Sequence, residues 1–255
     1  MTALRYTIPN GFTAASLLLG TAAIVTAFSG NLERAAWMVV WCGLLDVLDG
    51  LAARLLDATS RFGAQFDSLA DLVAFGVAPA MLVLQAGVQV GGIEPGSAGF
   101  AVLLLAVLVF VLAGALRLAR FNLGTGGEVP GWFRGVPITA AGSGLLATGV
   151  LLLVRHAEQA AALPVGLYLP LAAALLAFAM VSTLRFPKVA RRRSRTLNGF
   201  QWLNVALSFY CGLTRSFPEL LFAMAVFLLV SGLIAGGLAR PAGEAGDTAN
   251  GRTRA

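Results

Sequence analysis

The chain has 255 residues, of which 58% are hydrophobic and 12% are charged, about half the charged share of a soluble domain. This composition, with a mean hydropathy of +0.83, excludes a soluble globular protein and indicates a polytopic membrane protein. The net charge of +6 does not point to nucleic acid, because the basic residues lie between apolar runs. A single histidine and two cysteines inside apolar segments argue against histidine catalysis and a disulfide framework.

Eight apolar segments follow one another along the chain, and a spanning helix needs roughly 20 apolar residues. They cover residues 10–29, 35–55, 63–88, 98–119, 136–154, 163–184, 199–213 and 217–238, the seventh being the shortest. The first is interpreted as a retained span, because its apolar region runs past the length of a signal peptide. We therefore predict an all-α membrane bundle forming one domain over residues 1–240. The polar segment 241–255 is predicted to be a disordered tail.

The distribution of lysine and arginine predicts the orientation. With the N-terminus in the cytoplasm and all eight segments crossing, the far side carries Arg34, Arg155 and Arg215. The other basic residues then face the cytoplasm, as the positive-inside rule requires. Both termini are predicted to lie in the cytoplasm. The end of the second span and the start of the third, which a short linker joins, are predicted to lie on the same side.

Four aspartates lie at those ends, although a carboxylate within a span costs roughly 2.5–3.5 kcal/mol. Asp46 and Asp49 are three residues apart, and Asp67 and Asp71 are four apart, so each pair shares one face of its helix. The linker between the pairs is polar enough to form a turn, which makes the two helices antiparallel neighbours. Sets of carboxylates bind hard cations, Mg²⁺ or Mn²⁺, and two such ions suit transfer at phosphorus.

Spacing alone leaves other functions open for these carboxylates. They can form structural ion pairs with Arg54 and Arg61, or line a pathway for ions or protons, where intramembrane carboxylates are also common. A non-catalytic membrane scaffold is a further alternative. The transporter hypothesis predicts ion movement without any chemical product.

The same stretch resembles the signature of the CDP-alcohol phosphatidyltransferases. The matching positions are Asp46-x2-Asp49-Gly50-x2-Ala53-Arg54-x8-Gly63-x3-Asp67-x3-Asp71. The resemblance implies a six-helix family core, here followed by two C-terminal spans, in which an alcohol attacks a CDP-linked lipid and releases CMP. It implies that the four aspartates hold two divalent cations, Mg²⁺ or Mn²⁺, and that Asp71 is the base for the acceptor hydroxyl. The implied contacts to the CDP-lipid are Asn10, Thr13, Gly50, Ala53, Arg54, Ser60 and Gly63.

Four further stretches resemble the integral-membrane phosphatidylserine synthases of bacteria within this family. They are FDSLADLVAFGVAPA (Phe66–Ala80), GALRLARFN (Gly114–Asn122), FRGVPITAAG (Phe133–Gly142) and MVSTLRFPK (Met180–Lys188). Ala74 and Thr139 depart from that pattern, where a serine and a proline are frequent. The resemblance implies CDP-diacylglycerol and L-serine as substrates, membrane lipids as surroundings, a homodimer and the bacterial cytoplasmic membrane as location. Glycerol 3-phosphate, inositol phosphate and choline stay open as acceptors.

Basic residues near the end of the fourth span are candidates for binding the acceptor. Arg117 and Arg120 are three residues apart beside Asn122, and Arg134 precedes the fifth span. Guanidinium groups can hold the serine carboxylate or the lipid phosphate through charge-assisted hydrogen bonds. The alternative is that the arginines only anchor the span at the membrane interface.

Overall fold

The computed structural model describes residues 2–58, 60–123, 132–160, 163–187 and 195–238. The described helices are α1 (Thr2–Phe28), α2 (Leu32–Leu55), α3 (Arg61–Asp71), α4 (Ala78–Gln89), α5 (Ala98–Asn122), α6 (Thr148–Arg155), α7 (Ala157–Ala160), α8 (Val165–Val181), α9 (Arg195–Thr214) and α10 (Pro218–Leu238). Two π-helical segments join them, a first at Leu72–Val77 and a second at Ala140–Ala147. The predicted tail, residues 241–255, lies outside the described residues.

Helices occupy all eight segments that hydropathy predicts. Five are long and apolar enough to cross a membrane, namely Arg5–Phe28, Leu32–Leu55, Arg61–Gln89, Ala98–Asn122 and Pro218–Ala235. Two shorter apolar helices, Ala140–Arg155 and Val165–Val181, account for the fifth and sixth predicted spans. Helix α9 covers the seventh, the shortest of the predicted segments, and belongs to neither group. The protein is a polytopic, α-helical integral membrane protein.

Local sequence sets where several of these helices begin. The side chain of Asn31 accepts a hydrogen bond from the Arg34 amide at 3.0 Å at the start of α2, and Ser97 accepts one from Phe100 at 3.1 Å at the start of α5. Such caps satisfy amides that lack a partner within the helix. Polar residues between apolar runs therefore define the helix ends.

The two π-helical segments meet in the centre of the bundle. A Cβ atom placed on Gly142, in the second segment, would lie 2.1 Å from the carbonyl oxygen of Phe75 in the first. Ala74 is fully buried on the other side, where a Cβ on Gly20 of α1 would lie 2.9 Å from its Cα. Small residues thus let three backbone segments approach closely, as in other membrane helix contacts. The first π segment starts directly after Asp71.

A short antiparallel sheet joins two connections between the predicted spans. Strand β1 (Trp132–Arg134) pairs with β2 (Arg185–Pro187), with Arg134 opposite Arg185. Gly135 follows β1 with φ +73°, and a Cβ there would lie 2.1 Å from the carbonyl oxygen of Met180. Glycine is the residue that accepts this φ without steric cost. The sheet is small and leaves the predicted all-α class unchanged.

Candidate active site

Three carboxylates converge where α2 and α3 face each other. Asp46 and Asp49 come from the last turns of α2, and Asp67 comes from the middle of α3. One ligand oxygen from each lies within 4.8 Å of the others. The short turn between the helices brings the two predicted faces together, because it makes the helices antiparallel neighbours. Local spacing and the turn together assemble the cluster.

Asp71 stands beside this cluster, one helical turn beyond Asp67. It is close enough to Asp46, Asp67 and Asp49 to experience their negative charge, although the three-residue cluster within 4.8 Å does not include it. Asp71 is the last residue of α3 before the first π segment. The predicted quartet is therefore a cluster of three carboxylates with a fourth next to it.

The structure does not support ion pairing as the reason for these aspartates. Arg54 and Arg61 are both exposed. Within the described ranges, neither arginine brings a nitrogen within 4.0 Å of an aspartate oxygen. Elsewhere among the described residues, Nε2 of His156 lies 3.1 Å from a carboxylate oxygen of Glu219. Ion pairs with Arg54 or Arg61 therefore do not hold the aspartates in place.

The donor set fits a hard divalent cation. It offers carboxylate oxygens alone, which suit Mg²⁺ or Mn²⁺ better than zinc or copper. One oxygen each of Asp46, Asp49 and Asp67 lies within 4.8 Å of the others, a spacing that could hold a metal ion. Mutual repulsion between the carboxylates opposes this arrangement, and a divalent cation relieves it.

A cavity of about 180 Å³ opens next to the cluster. Its lining comes from α1, α2, α3 and the turn between the last two, and consists of Pro9, Asn10, Thr13, Asp49, Gly50, Ala53, Ala58, Ser60, Gly63, Ala64 and Asp67. Most of the residues that the motif points to as CDP-lipid contacts therefore share one cavity. The lining residues not named in advance are Pro9, Ala58 and Ala64. Each is a direct neighbour of a motif position or lies in the connecting turn.

Polar contacts hold the first helix against this cavity. The Thr13 hydroxyl lies 3.1 Å from Oδ2 of Asp49 and 3.2 Å from the carbonyl oxygen of Pro9, which gives its single proton two acceptors. Thr13 is buried, so its hydrogen bond to the carboxylate is shielded from water. The segment Pro9–Thr13 of α1 is thus connected to the carboxylate cluster through Thr13.

Ser60 and Gly63 shape the opposite wall. The Ser60 hydroxyl caps α3 by accepting a hydrogen bond from the Gly63 amide at 2.9 Å. A Cβ on Gly63 would lie 3.1 Å from Ser60 Oγ and 3.3 Å from Asn10 Oδ1. A side chain at position 63 would therefore crowd two polar groups that line the cavity. On α2, the guanidinium of Arg54 reaches back over Gly50, with Nη2 3.8 Å from a Cβ placed there.

The predicted acceptor residues lie in the C-terminal half of α5 and in β1. Arg117 is half-buried, its Nε has no hydrogen-bond partner among the described residues, and its charge attracts that of Asp71. Arg120 donates to the carbonyl oxygen of Val181 at the end of α8, at 3.1 Å. The Asn122 side chain donates a hydrogen bond to the Ser68 hydroxyl in α3. Arg134 is exposed in β1. The charge of Arg117 thus connects this helix to Asp71.

An all-helical membrane fold with a carboxylate cluster beside a small-residue cavity narrows the class of protein. A family model described as CDP-alcohol phosphatidyltransferase matches residues 6–184, which include both aspartate pairs and the whole cavity lining. The chain belongs to the CDP-alcohol phosphatidyltransferase family.

Two similar proteins share one name, and a third is named as an archaetidylserine synthase. Over 136 residues the chain is 48% identical to a CDP-diacylglycerol–serine O-phosphatidyltransferase of Helicobacter pylori, covering 53% of this chain and 54% of that protein. It is 30% identical over 199 residues to the Bacillus subtilis protein of the same name, covering 76% and 98%. It is 34% identical over 178 residues to an archaetidylserine synthase of Methanothermobacter thermautotrophicus, covering 67% and 65%. The match spans about half the length of the Helicobacter relative.

Proposed function

We propose that the protein transfers the phosphatidyl group of CDP-diacylglycerol to the hydroxyl of L-serine, giving phosphatidylserine and CMP. The observation that carries this proposal is the convergence of Asp46, Asp49 and Asp67 beside a cavity lined by the family's motif residues. The names of the relatives favour serine as the acceptor. An integral membrane fold is consistent with a substrate that resides in the bilayer.

Two divalent cations, Mg²⁺ or Mn²⁺, are proposed at the carboxylates of Asp46, Asp49, Asp67 and Asp71. When bound, such ions neutralise the pyrophosphate and stabilise the leaving phosphate. The protein's own contribution is to hold four carboxylates on two facing helices. The Thr13 hydroxyl orients Asp49 through its hydrogen bond, a second layer of contact that fixes ligand geometry in metal sites.

The cavity is proposed to take the CDP head of the lipid. Gly50, Ala53 and Gly63 leave space for a ligand to approach the backbone closely. Asn10, Thr13 and Ser60 supply polar groups on the walls. Arg54, which extends over Gly50, offers a cation to the nucleotide phosphates.

Asp71 is proposed as the general base. It accepts the proton of the serine hydroxyl, the serine oxygen forms a bond to the lipid-side phosphorus, and the bond from that phosphorus to the bridging pyrophosphate oxygen breaks. The electron pair of that bond leaves with CMP. Asp71 suits this role because it stands beside the three clustered carboxylates and not among them. Arg117 also interacts electrostatically with Asp71, which supports a base and a cation for the acceptor in the same site.

Arg117 is proposed to bind the carboxylate of serine. Its buried Nε lacks a hydrogen-bond partner among the described residues, and leaving such a donor unpaired costs about 1–3 kcal/mol. A bound carboxylate satisfies it with a charge-assisted bond. Arg120, Asn122 and Arg134 are the other candidates from the sequence, and Arg120 already donates to the backbone of α8.

A substitution at Arg117 tests this assignment. Arg117→Gln is expected to raise the KM for serine roughly tenfold or more, the loss of one charge-assisted bond of about 1.5–3 kcal/mol, with little change in the KM for CDP-diacylglycerol. Arg61→Gln, at an exposed arginine of α3, is the matched control. Equal increases in the two KM values would show instead that Arg117 binds the phosphate of CDP-diacylglycerol.

The active site is proposed to face the cytoplasm, with both termini on that side, because the arginine distribution along the chain favours this orientation. Serine and CDP-activated lipid are both accessible there. A homodimer is proposed on the family resemblance alone, and the mass of the protein in detergent by light scattering tests it.

CMP release by the purified protein is the decisive experiment. CDP-diacylglycerol is supplied with serine, glycerol 3-phosphate, inositol phosphate or choline in separate reactions, with and without divalent cations. The proposal is supported if serine is the only one of the four alcohols that gives CMP and a phospholipid product. Turnover with another alcohol would assign that alcohol as the acceptor in place of serine. Ion transport in liposomes without CMP release would contradict the enzyme assignment. Asp71→Asn is expected to remove the activity, and full activity in this variant would contradict its role as base.

A further inference from the structure

A group of polar side chains connects α3 to the C-terminal end of α5. The Asn122 amide donates to the Ser68 hydroxyl at 3.0 Å and lies 3.4 Å from Oε1 of Gln65. Ser68 Oγ is also 3.0 Å from the carbonyl oxygen of Ala64, so its own proton has an acceptor within α3. Its lone pairs are then available to Asn122. We call Gln65, Ser68 and Asn122 the amide network.

Helix α3 packs against α1 and the first π segment, and the amide network adds a side-chain contact with α5. After Asp71 the chain continues as a π segment, Leu72–Val77, whose i→i+5 bonding breaks the regular α-helical register with α4. The other end of α3 begins at a turn and is capped by Ser60. Ser68 follows Asp67 by one residue and precedes Asp71 by three, so a bond to Ser68 constrains the direction of both carboxylates.

The other end of the network belongs to the helix that carries the acceptor arginine. Asn122 is the last residue of α5, and Arg117 lies five residues earlier in the same helix. Arg117 attracts Asp71 across the gap between the helices. The same end of α5 is held to α8, where Arg120 donates to Val181. The amide network therefore spans the two helices that carry the proposed base and the proposed serine ligand.

We propose that Asn122 is a positioning residue that acts through Ser68 and Gln65. It holds α3 against α5 so that Asp71 lies near the other carboxylates and the guanidinium of Arg117 at once. Its amide is engaged by α3 and does not contact the acceptor. The catalytic consequence rests on the transferase function proposed above. A misplaced reacting group costs rate, by as much as about a hundredfold for 1 Å.

Four variants test this assignment: Asn122→Ala, Ser68→Ala, the double variant and Ser68→Thr, which keeps the hydroxyl. Each single alanine variant is expected to lower kcat roughly ten- to a hundredfold with little change in the KM for serine. The double variant is expected to be no slower than the singles, because both remove one interaction. Ser68→Thr retains activity. Asn204→Ala and Ser208→Ala are matched controls, because their side chains bond to the backbone of their own helix α9.

Hydrogen exchange of residues 61–71 supplies a readout that does not depend on turnover. Both alanine variants are expected to speed exchange in α3, and the α9 controls are not. If the alanine variants exchange faster in α3 but the wild-type protein makes no CMP from serine, the proposed function is rejected and the positioning of α3 by Asn122 is still supported. The positioning role is overturned if α3 exchange stays at the control rate. It is also overturned if Asn122→Ala raises only the KM for serine and Ser68→Ala changes neither kcat nor KM, since Asn122 would then bind serine itself.

Discussion

Gly142 occupies the closest backbone contact between the two π segments, so its substitution by alanine should disturb both the core and the site. The added Cβ would lie 2.1 Å from the Phe75 carbonyl oxygen, 2.8 Å from its carbon and 2.9 Å from its Cα. All three atoms belong to the backbone, which cannot rotate away as a side chain can. Overpacking of a core costs about 1–3 kcal/mol, and a contact this short falls at the upper end.

The helical preference of alanine over glycine returns about 1 kcal/mol, which leaves a net loss of about 2 kcal/mol. For a chain of this size each kcal/mol corresponds to about 2–4 °C in Tm, so Gly142→Ala is expected to lower Tm by about 4–8 °C. Since the strained segment begins directly after Asp71, kcat for CMP release should fall as well.

Thermal unfolding in detergent measures the effect, with Gly149→Ala as the matched control. Gly149 lies in the next helix, and a Cβ there would meet Phe222 at an ordinary 3.6 Å. The control should keep or gain stability, by up to about 1 kcal/mol. Equal Tm values for the two variants would refute the close approach of the π segments. A lower Tm with unchanged kcat would instead show that Asp71 does not depend on that contact.

Three further predictions concern the carboxylate cluster. Asp67→Asn should reduce CMP release by at least about a hundredfold, because loss of a contact that merely supports a metal ligand already costs about 10–100-fold. Asp57→Asn, in the exposed turn, should leave the rate unchanged, and similar rates for the two variants would contradict the cluster. Thr13→Val removes a hydrogen bond to the Asp49 carboxylate worth about 1.5–3 kcal/mol and should weaken Mn²⁺ binding in an isothermal titration, while Thr21→Val, exposed on the same helix, should leave it unchanged. Removal of divalent cations with EDTA should abolish CMP release, and Mg²⁺ or Mn²⁺ should restore it. Undiminished turnover in EDTA would exclude a metal role.

Much of the site could be predicted because its information is local. The spacing of Asp46 from Asp49, and of Asp67 from Asp71, places each pair on one helix face whatever the rest of the fold does. Small residues at Gly50 and Gly63 mark where a ligand can approach, and both line the cavity. The apolar runs likewise predicted the helices, since a span must bury an unbroken set of backbone hydrogen bonds.

Other features depend on which helices are neighbours, and periodicity does not carry that information. The partners of Asn122 in α3 lie more than fifty residues away in the chain. The strand pair joins two connections separated by about the same distance. Neither has a signal in its own segment, because each requires that two distant loops or helix ends meet.

The sequence by itself determined the membrane class, the helices, the two aspartate faces and the family motif, because all of these follow from composition and short-range spacing. The tertiary structure alone decided that Asp46, Asp49 and Asp67 come within 4.8 Å while Asp71 stands beside them. It also decided that α3 ends in a π segment pressed against Gly142. The physical reason is packing: helical periodicity sets the direction of a side chain on its own helix, and contacts between helices set how far apart two such faces come to rest.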